Sequence, residues 1–152
     1  MSTEKDLKFM TRALELARLA AERGDVPVGA VIVKEGEIIS EGYNLREAEG
    51  KATAHAEMVA IDRACERLGG WHLCGCTLYV TLEPCPMCAG ALINSRVERV
   101  VFGLRDAKAG CVGSVLNINR YPFNHAFDVT EGVLAEESAK LLSDFFAKKR
   151  TK

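Results

Sequence analysis

Apolar side chains near the start of the chain recur at steps of three and four residues. Leu7, Met10, Leu14, Ala17 and Ala21 follow that spacing, which predicts an amphipathic helix over 6–23 closed by Gly24. The pattern then changes. Residues 28–33 and 38–43 are short apolar runs rich in β-branched side chains, with Glu35-Gly36 between them, the signature of a hairpin. A polar loop is expected over 44–53. Helical spacing returns over 54–68, where Met58, Ile61, Cys65 and Leu68 share one stripe and Gly69-Gly70 ends it. Residues 76–82 read as a buried strand, 86–96 as a short helix and 97–104 as a second buried strand. A glycine-bearing loop over 106–114, a short helix near 115–119 and a short strand over 127–130 follow. The last helix spans 136–150, with Leu141, Leu142, Phe145 and Phe146 as its apolar positions.

Strands alternating with helices predict a layered α/β fold. Neither an internal repeat nor a linker-like stretch breaks the chain, so residues 1–152 are expected to form one domain. A chain of this length buries about 68–70% of its unfolded surface, enough for a core without staples. No stretch approaches the roughly 20 apolar residues that span a bilayer. The opening MSTEKDLKFM is polar and lacks a signal-peptide core. The expectation is a soluble, cytoplasmic protein with no membrane partner.

Charge and cysteines refine this. The net charge is −1, so overall electrostatics do not argue for a polyanion partner. Such a partner would need a local patch, and the densest basic run is Lys148-Lys149-Arg150 with Lys152 after it. Six cysteines without an export signal fit metal ligation and buried thiols better than a disulfide framework.

The strongest chemical signal is Pro84-Cys85-Pro86-Met87-Cys88. Proline suits the first position of a helix, where its missing N–H has no partner to lose. Cys85 then takes the N-cap, and Cys88 sits one turn on. Both sulfurs converge on the positive end of the helix, which favours the thiolates that zinc requires. The second piece is His55-Ala56-Glu57, expected in the first turn of a helix capped by Thr53. Alone, a histidine or a C-x-x-C pair is weak, because both also occur as ordinary packing. Together, H-x-E followed by P-C-x-x-C is a zinc-deaminase signature.

His55, Cys85 and Cys88 are therefore the candidate Zn2+ ligands. A catalytic zinc leaves a position open, whereas a structural one is closed by four protein ligands. Cys65 and Cys76 read as core, Cys74 frames the glycine ahead of a strand, and Cys111 in its loop is undecided. Glu57 is the candidate catalytic residue. A capping box would put a glutamate three residues after Thr53, but that place holds Ala56. The carboxylate is thus read as a general acid/base beside the open zinc position.

At this point the sequence resembles the tRNA-specific adenosine deaminases of the cytidine-deaminase-like superfamily over nearly its whole length. The carrying segments are residues 25–30, 43–47, 53–58, 81–91 and 106–114, with Phe123-Asn124-His125 and the ending Phe145-Phe146. The zinc segments are shared with guanine and cytosine deaminases. The Asp106-x-Lys108-x-Gly110-x-x-Gly113-Ser114 loop is more specific to the tRNA enzymes. The resemblance implies a three-layer α/β/α fold with a mixed five-stranded sheet and helices on both faces, a homodimer, and a tRNA anticodon stem-loop as substrate. It implies substrate contacts at Asn44, Ala56, Arg46, Asp106, Lys108 and Phe145. A base must leave its stack to reach such a site, and single-stranded loops allow that.

Plainer readings stand beside these. Asn44 and Asp106 also suit turns. The basic run also suits an ordinary helix end. At least one of Phe145 and Phe146 is expected in the core. His125 is read as a structural hydrogen-bonder. Trp71 and His72 either frame the RNA site or pack. Two other functions compete: a deaminase of a free base or nucleoside with the same metal site, and a non-catalytic RNA-binding module with structural zinc.

Overall fold

A computed structural model describes residues 3–150; Lys152 of the basic run lies outside them. Helix α1 (Glu4–Glu22) opens on a capping box, with Thr3 and Asp6 bonding each other's backbone N–H groups. Strands β1 (Gly29–Lys34) and β2 (Glu37–Tyr43) form the predicted hairpin. The chain continues through α2 (Arg46–Glu49), α3 (Ala56–Leu68), β3 (Cys76–Leu82), α4 (Pro86–Asn94), β4 (Arg99–Leu104), a 3-10 turn (Ile118–Arg120), β5 (Asp128–Thr130) and α5 (Ala135–Arg150).

The five strands form one sheet in the order β2-β1-β3-β4-β5. Strand β1 runs antiparallel to β2 and β3, whereas β3, β4 and β5 are parallel. Side chains alternate across a strand, and the core divides accordingly. Ala30, Ile32, Leu78, Val80, Val100 and Phe102 face α3 and α4, where they meet Ala60, Ile61, Ala64 and Leu92. Val31, Val33, Tyr79 and Val101 face Phe9, Met10, Ala13 and Leu16 of α1. Helix α5 shares that second face, and its Ser138 hydroxyl donates to the Thr81 carbonyl of β3. The result is the three-layer α/β/α arrangement with helices on both faces.

Helix α1 is pinned by an ion pair whose carboxylate is buried and whose guanidinium is partly exposed. Arg99 donates twice to the Asp6 carboxylate, at 2.9 and 2.8 Å, and the Tyr79 hydroxyl adds a third bond at 2.7 Å. Helix α3 lies very close to the sheet at Gly42. A Cβ there would sit 2.6 Å from the Ala56 carbonyl oxygen, so only glycine permits the contact.

Several local expectations change. The 44–53 loop contains the helical turn α2, because the distant Asp25 carboxylate accepts the Glu47 N–H at 3.0 Å. His55 takes the N-cap of α3 in place of Thr53, and its side chain makes no capping bond. The cap comes from across the chain: Asn44 Oδ1 accepts the Ala56 N–H at 2.9 Å. The short helix near 115–119 is a 3-10 turn at Ile118–Arg120. No helix among the described residues is long and apolar enough to cross a membrane.

Candidate active site

The parallel strands β3 and β4 deliver the chain to the same edge of the sheet, where ligand sites of open α/β sheets form. Strand β3 leads through Glu83 and Pro84 into α4, with Cys85 as N-cap and Pro86 at the first helical position. Strand β4 leads into the 106–114 loop. Strand β2 ends at Tyr43, paired with Gly29 at the start of β1, so Asn44 joins this edge as well. The N-termini of α3 and α4 meet here.

His55 Nδ1 lies 3.7 Å from Cys85 Sγ and 3.7 Å from Cys88 Sγ. All three ligand atoms fall within 4.8 Å of one another, and no other such group occurs among the described residues. Zinc bonds of roughly 2.3 Å to sulfur and 2.0–2.1 Å to nitrogen imply tetrahedral S–N edges of about 3.6 Å. The spacing fits zinc. The Cys85 thiol is pulled down to about 4, first by its hydrogen bond with Cys88 and then by His55. Cys88, hydrogen-bonded to Cys85 and buried, is pushed far up. The hydrogen bond to Cys85 raises His55. A bound zinc would require both thiolates and a neutral imidazole, so its binding would release protons here. Cys65, Cys74, Cys76 and Cys111 do not join the group.

A cavity of about 210 Å³ opens beside the three ligands, lined by Val26, Val28, Asn44, Arg46, His55, Glu57, Leu82, Glu83, Cys85, Asp106 and Ala109. Glu57 is 4% exposed. Burial, above all, lifts its carboxyl well above the usual range, and the neighbouring Cys85 charge adds to the effect. A carboxyl poised in this way suits proton transfer near neutral pH.

The other sequence candidates divide. Asn44, Arg46 and Asp106 line the cavity. Asn44 is buried and bridges two segments, donating to the Val26 carbonyl at 3.0 Å while capping α3. Ala56 is fully buried beneath the site and holds Asn44 through its N–H. Arg46 pairs with buried Asp25. Lys108 is exposed, its N–H held by Asp106 Oδ1 at 3.0 Å. Phe145 is absent from the cavity: it is buried and lines a separate groove of about 610 Å³ with Ala21, Leu141 and Lys148. Phe146 beside it is exposed. Trp71 and His72 stack on each other, with ring centres 3.6 Å apart, beyond the far end of α3. That helix has 13 residues, which separates them from His55 by about 20 Å. His125 bonds the Val97 carbonyl at 2.7 Å.

Two residues of this region escape a reading of single positions. Asp25 anchors α2 through Arg46 and the Glu47 N–H. Glu83 is 2% exposed and accepts hydrogen bonds from the 106–114 loop. Burial opposes its charge, but the bonds from Ser114 and from backbone N–H groups prevail and hold its carboxyl below the usual range. Adjacency to the P-C-x-x-C motif is the one signal that pointed to it.

Residues 3–104 match the cytidine and deoxycytidylate deaminase zinc-binding region. A curated tRNA-specific adenosine deaminase of Bacillus subtilis (strain 168) is 54% identical over 149 residues, covering 97% of this chain and 92% of that protein. The chain belongs to the tRNA-specific adenosine deaminase family. Members of this family and their wider relatives share its architecture. A structure from work on A-to-I editing by tRNA:A34 deaminases at the wobble position of transfer RNA superposes with a TM-score of 0.87 at 45% identity, covering 89% of this chain and 99% of the other. A guanine deaminase from Nitrosomonas europaea superposes at 0.79 with 26% identity, covering 97% and 86%. Family membership and the His-Cys-Cys group together make the chain a zinc-dependent hydrolytic deaminase.

Proposed function

We propose that this chain converts adenosine to inosine at the wobble position of a tRNA anticodon, releasing ammonia. The carrying observation is the ligand triad with Glu57 buried in the adjoining cavity, set within a family of tRNA-specific adenosine deaminases. His55, Cys85 and Cys88 would hold a zinc ion, which would supply Lewis-acid chemistry at the site.

Glu57 takes one proton from the attacking water and delivers it to N1 of the base, while the water oxygen bonds to C6. Glu57 then carries the remaining hydroxyl proton to the departing amine. The C6–N bond breaks, ammonia leaves, and Glu57 ends as it began. Asn44 keeps a spare N–H and a spare lone pair for the flipped nucleotide after its two internal bonds. The Ala56 backbone, through Asn44, holds that side chain in place. Arg46, Asp106 and Lys108 form the rim that receives the loop. Phe145 contributes from its separate groove by supporting Lys149, which lies 5.2 Å from its ring and offers charge to phosphate. The single domain of residues 1–152 works as a homodimer in the cytoplasm, where tRNA resides. Exposed Leu116, Tyr121 and Phe123 around an apolar groove at Pro86 support self-association.

The test is inosine detection in an anticodon stem-loop, with ammonia release from free adenosine, guanine and cytosine in parallel. Wild type is expected to convert the stem-loop. Glu57→Ala is expected to keep one zinc per chain and lose turnover by 10²-fold or more, about the contribution of a positioned acid/base. Turnover of free bases with an inert stem-loop would overturn the substrate. Undiminished activity in Glu57→Ala would overturn the mechanism.

A further inference from the structure

We infer that Glu83 is a positioning residue whose buried carboxylate holds the 106–114 loop at the cavity mouth and thereby sets how tightly RNA is bound. The inference rests on the function proposed above.

Glu83 lies between β3 and Cys85, and its two oxygens divide the loop between them. Oε1 accepts the Asp106 N–H at 3.0 Å and the Ser114 hydroxyl. Oε2 accepts the Val112 N–H at 2.9 Å and the Ser114 N–H at 3.0 Å. One carboxylate thus gathers both ends of the loop. The middle of the loop packs onto it: a Cβ on Gly110 would stand 2.2 Å from Glu83 Cδ and 2.4 Å from Oε2. A backbone bond beside it, from the Cys111 N–H to the Pro84 carbonyl at 2.9 Å, ties the loop to the metal-bearing segment.

The consequence passes outward through Asp106. With its own N–H held by Glu83, Asp106 turns its carboxylate onto the Lys108 and Ala109 N–H groups, at 3.0 and 3.2 Å. Asp106 and Ala109 line the cavity, and Lys108 is exposed at its rim. The loop forms no helix or strand; backbone turns such as the Gly110 N–H to the Asp106 carbonyl at 2.8 Å shape it locally, and the Glu83 carboxylate ties its two ends together. Glu83 itself spends its oxygens on four donors. That leaves proton transfer to Glu57 and gives Glu83 the task of shape.

Glu83→Gln keeps the size of the side chain but turns one acceptor into an NH2 donor aimed at N–H groups. The loop then loosens, while α3 and α4 still present the metal ligands. Steady-state kinetics on the stem-loop should show KM raised about tenfold or more, the scale of a lost charged hydrogen bond. Expected alongside are kcat within about threefold and unchanged zinc content. Gly110→Ala, which leaves the carboxylate intact but pushes the loop off it, should give the same split. Asp106→Ala should raise KM too, yet add little in the Glu83→Gln background, because both act through one element.

A fall in kcat with KM unchanged, or multiplying KM effects of the two substitutions, would overturn the inference. Should Glu83→Gln fail to fold or to hold zinc, Gly110→Ala and Ser114→Ala carry the test, and an unchanged KM in both overturns it. Wild type inert on the stem-loop would instead remove the functional reading, and this inference with it.

Discussion

Asp6→Asn is expected to destabilise the protein by at least about 2 kcal/mol at pH 7, through loss of the ion pair that fastens α1 to the sheet. Asp6 is 1% exposed and accepts two bonds from Arg99 and one from Tyr79. The Arg99 guanidinium, first of all, holds its carboxyl down from 3.8 to about 2. Each pKa unit corresponds to about 1.4 kcal/mol, so the charge is worth about 2 kcal/mol to the folded state. The asparagine amide also faces the guanidinium with donors; breaking a fully buried pair on one side costs roughly 3–5 kcal/mol, an upper limit here because Arg99 is partly exposed. The loss should therefore lie at about 2–5 kcal/mol, a Tm decrease of at least roughly 4–8 °C for a domain this size.

The pH dependence has a defined sign. The folded pKa is lower than the unfolded one, so the stability is fully present above about 5 and is lost as pH falls through 4 toward 2. Denaturant unfolding of both proteins, compared at equal pH from 7 to 2.5, reads the gap directly. A constant gap above pH 5 that narrows below pH 4 is expected. A difference under about 0.5 kcal/mol at pH 7, or a gap that does not narrow in acid, would refute the reasoning.

Two further perturbations probe the site's supports. Cys88→Ala should lose zinc and thermal stability together, because metal binding and folding are coupled; metal content by atomic absorption and Tm would be read on the same sample, and full zinc occupancy would contradict the ligand assignment. Gly42→Ala should push α3 off β2, since the new methyl would meet the Ala56 carbonyl oxygen at 2.6 Å. A loss of roughly 1–3 kcal/mol is expected from such overpacking, with reduced turnover because α3 carries Glu57 at its start. Unchanged unfolding and kinetics would show that the helix yields without cost.

The elements and the metal chemistry were legible in the chain because both have local causes. Periods of two and three to four residues reveal which faces seek burial. Pro86 after Cys85 marks a helix tip, and His55 and Glu57 lie two positions apart with Ala56 between them. The cap on α3 was not legible. It is supplied by Asn44 rather than by a neighbouring Thr53 side chain, and only the fold brings β2's end to that helix. The turn α2 exists because Asp25, 22 positions away from Glu47, accepts its N–H. Phe145 and Phe146 are adjacent in sequence, and packing against α1 decides which one is buried.

What the sequence determined by itself is therefore the candidate metal donors, the candidate acid/base carboxyl and the alternation of strand and helix, since each depends on residue type and short spacing. What the tertiary structure alone decided is which polar side chains brace the site and which line its cavity. Asn44, Asp25 and Glu83 bond to backbone groups 12 to 31 residues distant. No local pattern encodes those partners; they arise when the sheet brings the ends of β2, β3 and β4 to one edge and buried carboxylates and amides must find donors there.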